Sequence, residues 1–260
     1  MIARRWPALA LLVISWSAPV QSPAQGTCDT RLASAMTALA WEQGEQVRQA
    51  LEHIEGMSKQ LLALRSYVRS RETLPQRWSW SQAQIDLYRQ SREYQDLLAA
   101  VKRIRVRFET DNPGFELYGN TEVRSLDVQI QRWNENQGVA RIAATLEKAL
   151  CQKADVKGAH EFSAAELREA LQKWQPSTPA PLAAPGLSLH GRARAIDFQV
   201  HQGARVVAGP EVAKIASTWE AQGWSAKLSA AVSAASDKFV GPLKMPNEPW
   251  HYEYRPNSGQ

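Results

Sequence analysis

The stretch "SLHGRARAIDF", Ser188 to Phe198, holds a histidine and an aspartate seven residues apart. A strand is predicted over Arg194–Val200, so His190 and Asp197 cannot be neighbours along one straight strand. A turn or a strand exchange must bring them together, and the small residues Gly191, Ala193 and Ala195 leave room for it. A second stretch, "EPWHYEY", Glu248 to Tyr254, adds a glutamate and a histidine.

Zinc used for hydrolysis takes three protein ligands of the His, Asp or Glu type and keeps a fourth position open. His190, Asp197 and His251 supply that number and that type. Glu248 lies three residues before His251, which in an extended strand puts the two side chains on opposite faces. Pro249 offers a bend that lets both approach one metal. A carboxylate beside the metal, but not on it, is the expected general base. It takes a proton from the activated water and delivers it to the leaving amine. Taken singly these residues mean little. His53, within a helical stretch, and His160 and His201, in polar surroundings, read as ordinary histidines.

Around these stretches the pattern is α+β. From Thr30 to about Arg69, Leu32, Met36, Leu39, Val47, Leu51, Ile54, Leu61, Leu64 and Val68 recur at steps of three and four, which predicts one long helix. "SRETLPQRWSWS" breaks it at Pro75, and a second helix is expected from about Ser81 to Arg107 with Ile85, Tyr88, Leu97, Leu98, Val101 and Ile104. The two read as an antiparallel, coiled-coil-like hairpin over residues 28–108, either packed on the following domain or free to engage a cell-envelope protein. Turn residues in "ETDNPGFELYGN" place a boundary near Thr110, with a second domain over residues 110–260. In that domain Phe115–Leu117 reads as a strand and Leu126–Lys153 as mostly helical. Ser163 with Glu166 caps a helix to Trp174. "QPSTPAPLAAPG" reads as an extended loop because its four prolines forbid regular structure. Strands at Arg205–Val207 and Trp250–Tyr254, and helices at Pro210–Gln222 and Ala226–Ala235, complete a small antiparallel sheet beside helices.

The first residues decide the expected compartment. Arg4 and Arg5 precede an apolar run from Ala8 to Trp16, followed by "SPA" at Ser22–Ala24. That run is too short to span a bilayer, so residues 1–24 read as a removable secretory signal, with a retained anchor as the alternative. The mature chain is then secreted, in the periplasm, with no stable membrane span. Cys28 and Cys151 are the two cysteines of the chain, which in an oxidising compartment suggests one disulfide, against two free buried thiols. A net charge of +5 without a basic, aromatic-interleaved run excludes a nucleic-acid binder.

"SLHGRARAID" resembles the S-x-H-x-x-G-x-A-x-D signature of zinc D-alanyl-D-alanine carboxypeptidases of the VanY type, and "EPWH" resembles that family's second motif. The resemblance covers roughly Phe115 to Tyr254. It implies a hedgehog/D-Ala-D-Ala-peptidase-like domain, with His190, Asp197 and His251 as zinc ligands and Glu248 as catalytic base. "VRSLDVQ" resembles the family's Y-R-S-x-x-x-Q, which implies that Arg124 holds the substrate and that Gln129 sits on the following helix. A guanidinium fork suits a carboxylate. Two departures stand out: Ala193 replaces Gly, and Val123 replaces an aromatic. Trp250 reads as a pocket wall or as core, and Ser188 as a substrate-orienting group or a turn hydrogen bond. The expected activity is hydrolysis of peptidoglycan stem or cross-link peptides. The alternative is a non-catalytic envelope scaffold that binds its partner through the hairpin.

Overall fold

The structure, a computed structural model, describes residues 23–156 and 162–256. Residues 1–22 of the expected 1–24 leader, and His160, lie outside the described residues, while Pro23 and Ala24 begin the first helix. Helices α1 (Pro23–Gln43), α2 (Glu45–Glu52) and α3 (Met57–Arg69) come first, then the short α4 (Leu74–Arg77) and α5 (Gln82–Arg89) and the long α6 (Arg92–Asp111). Strand β1 (Glu116–Asn120) precedes α7 (Leu126–Glu135), α8 (Gln137–Val156) and α9 (Ala164–Lys173). The remainder supplies β2 (Ala195–Gln202), β3 (Arg205–Ala208), α10 (Trp224–Ala235), β4 (Phe239–Val240) and β5 (His251–Tyr254). The class is α+β. The sheet runs β1-β2-β5-β4, with β3 also paired to β2, and every pairing is antiparallel. Among the described residues no helix is long and apolar enough to cross a membrane.

Two hydrophobic cores organise these elements. The first gathers the apolar stripe of α1, α2 and α3 with Val139, Leu146 and Leu150 of α8 and Leu167 and Leu171 of α9. The second joins Leu97, Val101, Ile104 and Phe108 of α6 to Leu228 and Val232 of α10 and to the sheet. Strand β2 shows why the sheet has a dry face: Ile196, Phe198 and Val200 are buried, while Asp197, Gln199 and His201 between them are partly exposed. Period-two alternation thus sends the apolar residues into the second core and Asp197 to the opposite face.

Several expectations need correction. The helix expected from Thr30 to Arg69 is three helices, broken at Gly44 (φ 100°) and at Gly56 (φ 78°). Left-handed backbone of this kind suits glycine and ends regular helix. The expected hairpin separates as well, because the first stripe enters one core while Ile85, Leu97, Val101 and Ile104 enter the other. Periodicity reveals an apolar face without naming its partner. The helix expected over Leu126–Lys153 is interrupted at Asn136, whose side-chain oxygen accepts from Val139 N–H and caps α8. Pro210–Gln222 is a 3-10 turn and a π-helical turn rather than an α-helix. The capping box at Ser163 and Glu166 is present as read.

Cys28 of α1 and Cys151 of α8 form a disulfide across 123 residues, with Cα atoms 5.5 Å apart. Both ends lie in the first core. Closing so long a loop removes much freedom from the unfolded chain. Replacing both cysteines by serine is expected to lower stability by about 2–5 kcal/mol, read as a reduced denaturation midpoint.

Candidate metal centre

Strands β2 and β5 set the first half of the site. Their register places Asp197 directly opposite His251, so both side chains stand on the same face of the sheet. The Nδ1 of His251 lies 2.9 Å from Asp197 Oδ1. His190 arrives from a one-turn 3-10 helix, Leu189–Arg192, and its Nε2 lies 3.3 Å from Asp197 Oδ2. The two imidazole centroids are 5.1 Å apart. One ligand atom from each of the three residues falls within 4.8 Å of the others. Two buried imidazoles and a carboxylate, each 2.9 to 3.3 Å from its neighbour, are a donor set that could hold a metal ion.

The turn that delivers His190 depends on two small residues. Ala193 follows the 3-10 helix with φ 52° and ψ 33°, and is the single positive-φ residue other than glycine among the described residues. Its N–H and that of Arg194 both donate to Leu189 O, which closes the turn and aims the chain into β2. This is the position where alanine stands in place of the expected glycine. At Gly191 a β-carbon would lie 2.1 Å from Ser79 Oγ and 2.5 Å from Gln129 Nε2, so close packing, rather than φ, requires glycine there.

Burial alone would raise the Asp197 pKa. Hydrogen bonds from His190 and His251 outweigh it and hold the carboxyl well below its usual range. Burial lowers the pKa of His190 against the pull of Asp197, which favours the neutral imidazole that a metal ligand requires. Glu248 is raised by burial, with Asp197 adding and His251 opposing.

Glu248 reaches the site through the bend that the extended-strand argument demanded. His251 N–H donates to Glu248 O at 3.0 Å, a β-turn with Pro249 in its second position. Glu248 Oε2 then stands 3.8 Å from His251 Nδ1. Arg124 is drawn in from far upstream, because its N–H donates to His190 O at 3.2 Å. Its half-buried guanidinium has no carboxylate partner within ion-pair distance among the described residues. Burial lowers its pKa, and Asp197 opposes that shift.

The other expected residues fall differently. Gln129 is buried, its Oε1 accepting from Gly186 N–H and Ser79 Oγ and its Nε2 donating to Arg124 O at 2.8 Å. Its amide therefore ties three segments of the protein together. Ser188 makes no side-chain cap, and its carbonyl accepts from Gly191 N–H and Ser79 Oγ. Trp250 is 3% exposed and packs in the second core beside Trp219. Sequence reasoning missed Ser79. It sits in "WSW", Trp78 to Trp80, where Trp78 packs against the first core and Trp80 against the second. Ser79 N–H donates to Gly186 O and Trp80 N–H to Gly191 O, so this segment braces the His190 turn. A serine flanked by two tryptophans was the available signal.

Comparison of the chain with protein-family models, curated proteins and solved structures finds no match. The assignment of roles therefore rests on the chemistry of the site.

Gly191→Ala is expected to cost about 1–3 kcal/mol through overpacking and to weaken the binding of any added divalent metal, measured by competition with a chelator. Ala193→Gly is expected to leave stability within about 1 kcal/mol, because relief of the left-handed backbone is offset by a more flexible unfolded chain. Ala193→Val, with its branched β-carbon, is expected to lose about 1–3 kcal/mol.

Proposed function

We propose that the chain is a zinc-dependent peptidase of the cell envelope. Its substrates are peptidoglycan stem or cross-link peptides, attacked in the manner of a D,D-carboxypeptidase. One observation carries this reading: two motifs more than fifty residues apart converge to give a complete set of ligands with a carboxylate beside it. The likeness of both motifs to those of the VanY-type enzymes supplies the substrate class. We read the sheet with α6 and α10 as the hedgehog-like peptidase unit, and α1–α3 with α8 and α9 as a helical layer specific to this chain. The disulfide agrees with a secreted, periplasmic location.

His190, Asp197 and His251 would hold the metal. When bound, zinc would supply a Lewis acid for the scissile carbonyl and make water acidic enough to lose a proton near neutral pH. Glu248 takes that proton and returns it to the departing amine, a task that suits a carboxylate whose pKa burial has raised. Arg124 holds the terminal carboxylate of the peptide through paired hydrogen bonds and so fixes which bond faces Glu248. The half-buried guanidinium is already desolvated, and a carboxylate arriving there gains more than it would in open water.

Glu248→Gln is expected to keep its zinc and to lower kcat by about 10²–10⁴-fold on a D-Ala-D-Ala peptide, with released D-alanine as the readout. In the wild type, the acid limb of kcat/KM is expected to lie above the ordinary glutamate value, because the raised Glu248 must be ionised to act. Purified protein without zinc, together with unchanged hydrolysis by Glu248→Gln, would overturn the proposal.

A further inference from the structure

Between β4 and β5 the chain makes a short loop that ends on the proposed base. Glu248 N–H donates to Leu243 O at 2.9 Å, and Leu243 N–H donates to His251 O at 3.0 Å. These two bonds close the base of a hairpin whose tip is Lys244, Met245, Pro246 and Asn247. Pro242, Pro246 and Pro249 lie within or beside it. Each proline fixes its φ, so the tip has little freedom to lose on meeting a ligand.

The tip itself is chemically unusual. Met245 is 89% exposed, the most exposed large hydrophobic side chain among the described residues. The other exposed apolar side chains sit singly on helices and strands, as on any protein surface. Met245 instead stands three residues before Glu248, within about 10 Å of it along even a fully extended chain. Its neighbour Lys244 is exposed and has no carboxylate partner among the described residues. An adaptable thioether and a free ammonium are therefore presented together, on a braced loop that leads directly into Glu248. Methionine is suited to close contact with varied apolar shapes.

We propose that Lys244 and Met245 form a substrate-contacting finger that selects peptides carrying an apolar side chain together with an internal carboxylate. This inference rests on the peptidase reading above. The terminal carboxylate belongs to Arg124, and the finger reads a second part of the same peptide. Met245 covers the apolar side chain, and Lys244 meets the internal carboxylate. Neither residue belongs to the group that could hold the metal, so the finger acts on binding rather than on bond cleavage.

The test uses the full zinc-loaded chain and two peptides ending in D-Ala-D-Ala, one with a free internal carboxylate and one with that group amidated. Met245→Ala is expected to raise KM roughly tenfold, with kcat within about twofold, and Met245→Leu to restore it. Lys244→Ala is expected to raise KM about two- to fivefold for the acidic peptide and to leave the amidated one unchanged. Zinc content and melting temperature stay at wild-type values in all three variants, because both side chains are solvent-exposed. If the wild type hydrolyses the peptides and the variants match its KM, the finger is overturned and the peptidase reading stands. If the wild type hydrolyses neither peptide, the peptidase reading falls, and calorimetric binding of the acidic peptide decides the finger separately. Weaker binding by Met245→Ala then supports it; equal binding, or none by the wild type, removes it.

Discussion

A partly buried carboxylate held between two imidazoles is the constraint around which this protein is arranged. Asp197 leaves water at a cost, and the hydrogen bonds to His190 and His251 offset that cost. The arrangement requires β2 and β5 to pair in one register, since a slip of one residue would turn Asp197 into the apolar core and Ile196 toward the site. The apolar face of β2 guards against that slip, because Ile196, Phe198 and Val200 can satisfy the second core only in the observed phase. Packing on one face thereby fixes the chemistry on the other.

The second demand is that His190, which belongs to no strand, should meet Asp197. The protein solves this with backbone rather than side-chain bulk. A 3-10 turn, a left-handed alanine and a glycine pressed against Ser79 bring the chain round within seven residues. The turn is then held from both cores: Trp78 and Trp80 anchor their segment in different cores, and Ser79 and Gln129 bridge the segments that carry Gly186, Gly191 and Arg124. The site sits where the two cores meet, and its geometry is shared between them.

The convergence of His190, Asp197 and His251, with Glu248 alongside, was legible in the sequence, because the residue types a metal accepts are few and these four stand in a restrictive pattern. The bend at Pro249 followed from the conflict between strand periodicity and the need for Glu248 and His251 to converge. Helix partners were not legible. The stripe from Leu32 to Val68 and the stripe of α6 look alike as amphipathic patterns, yet they enter separate cores. The breaks at Gly44 and Gly56 depend on φ values that the letters G-E and G-M do not announce. Gln129 illustrates a further limit, because a polar residue near a motif gives no sign of whether it faces a ligand or the protein's own backbone.

The single disulfide has a consequence for how the chain reaches its final covalent form. With Cys28 and Cys151 as the full complement of thiols, one intramolecular pairing exists. Oxidation at any stage after both have emerged gives the same cross-link, and no mispaired species has to be reshuffled. The helical layer can thus be sealed by an oxidant alone, without an editing partner, while strands β1 to β5 carry no thiol that could compete for the pairing.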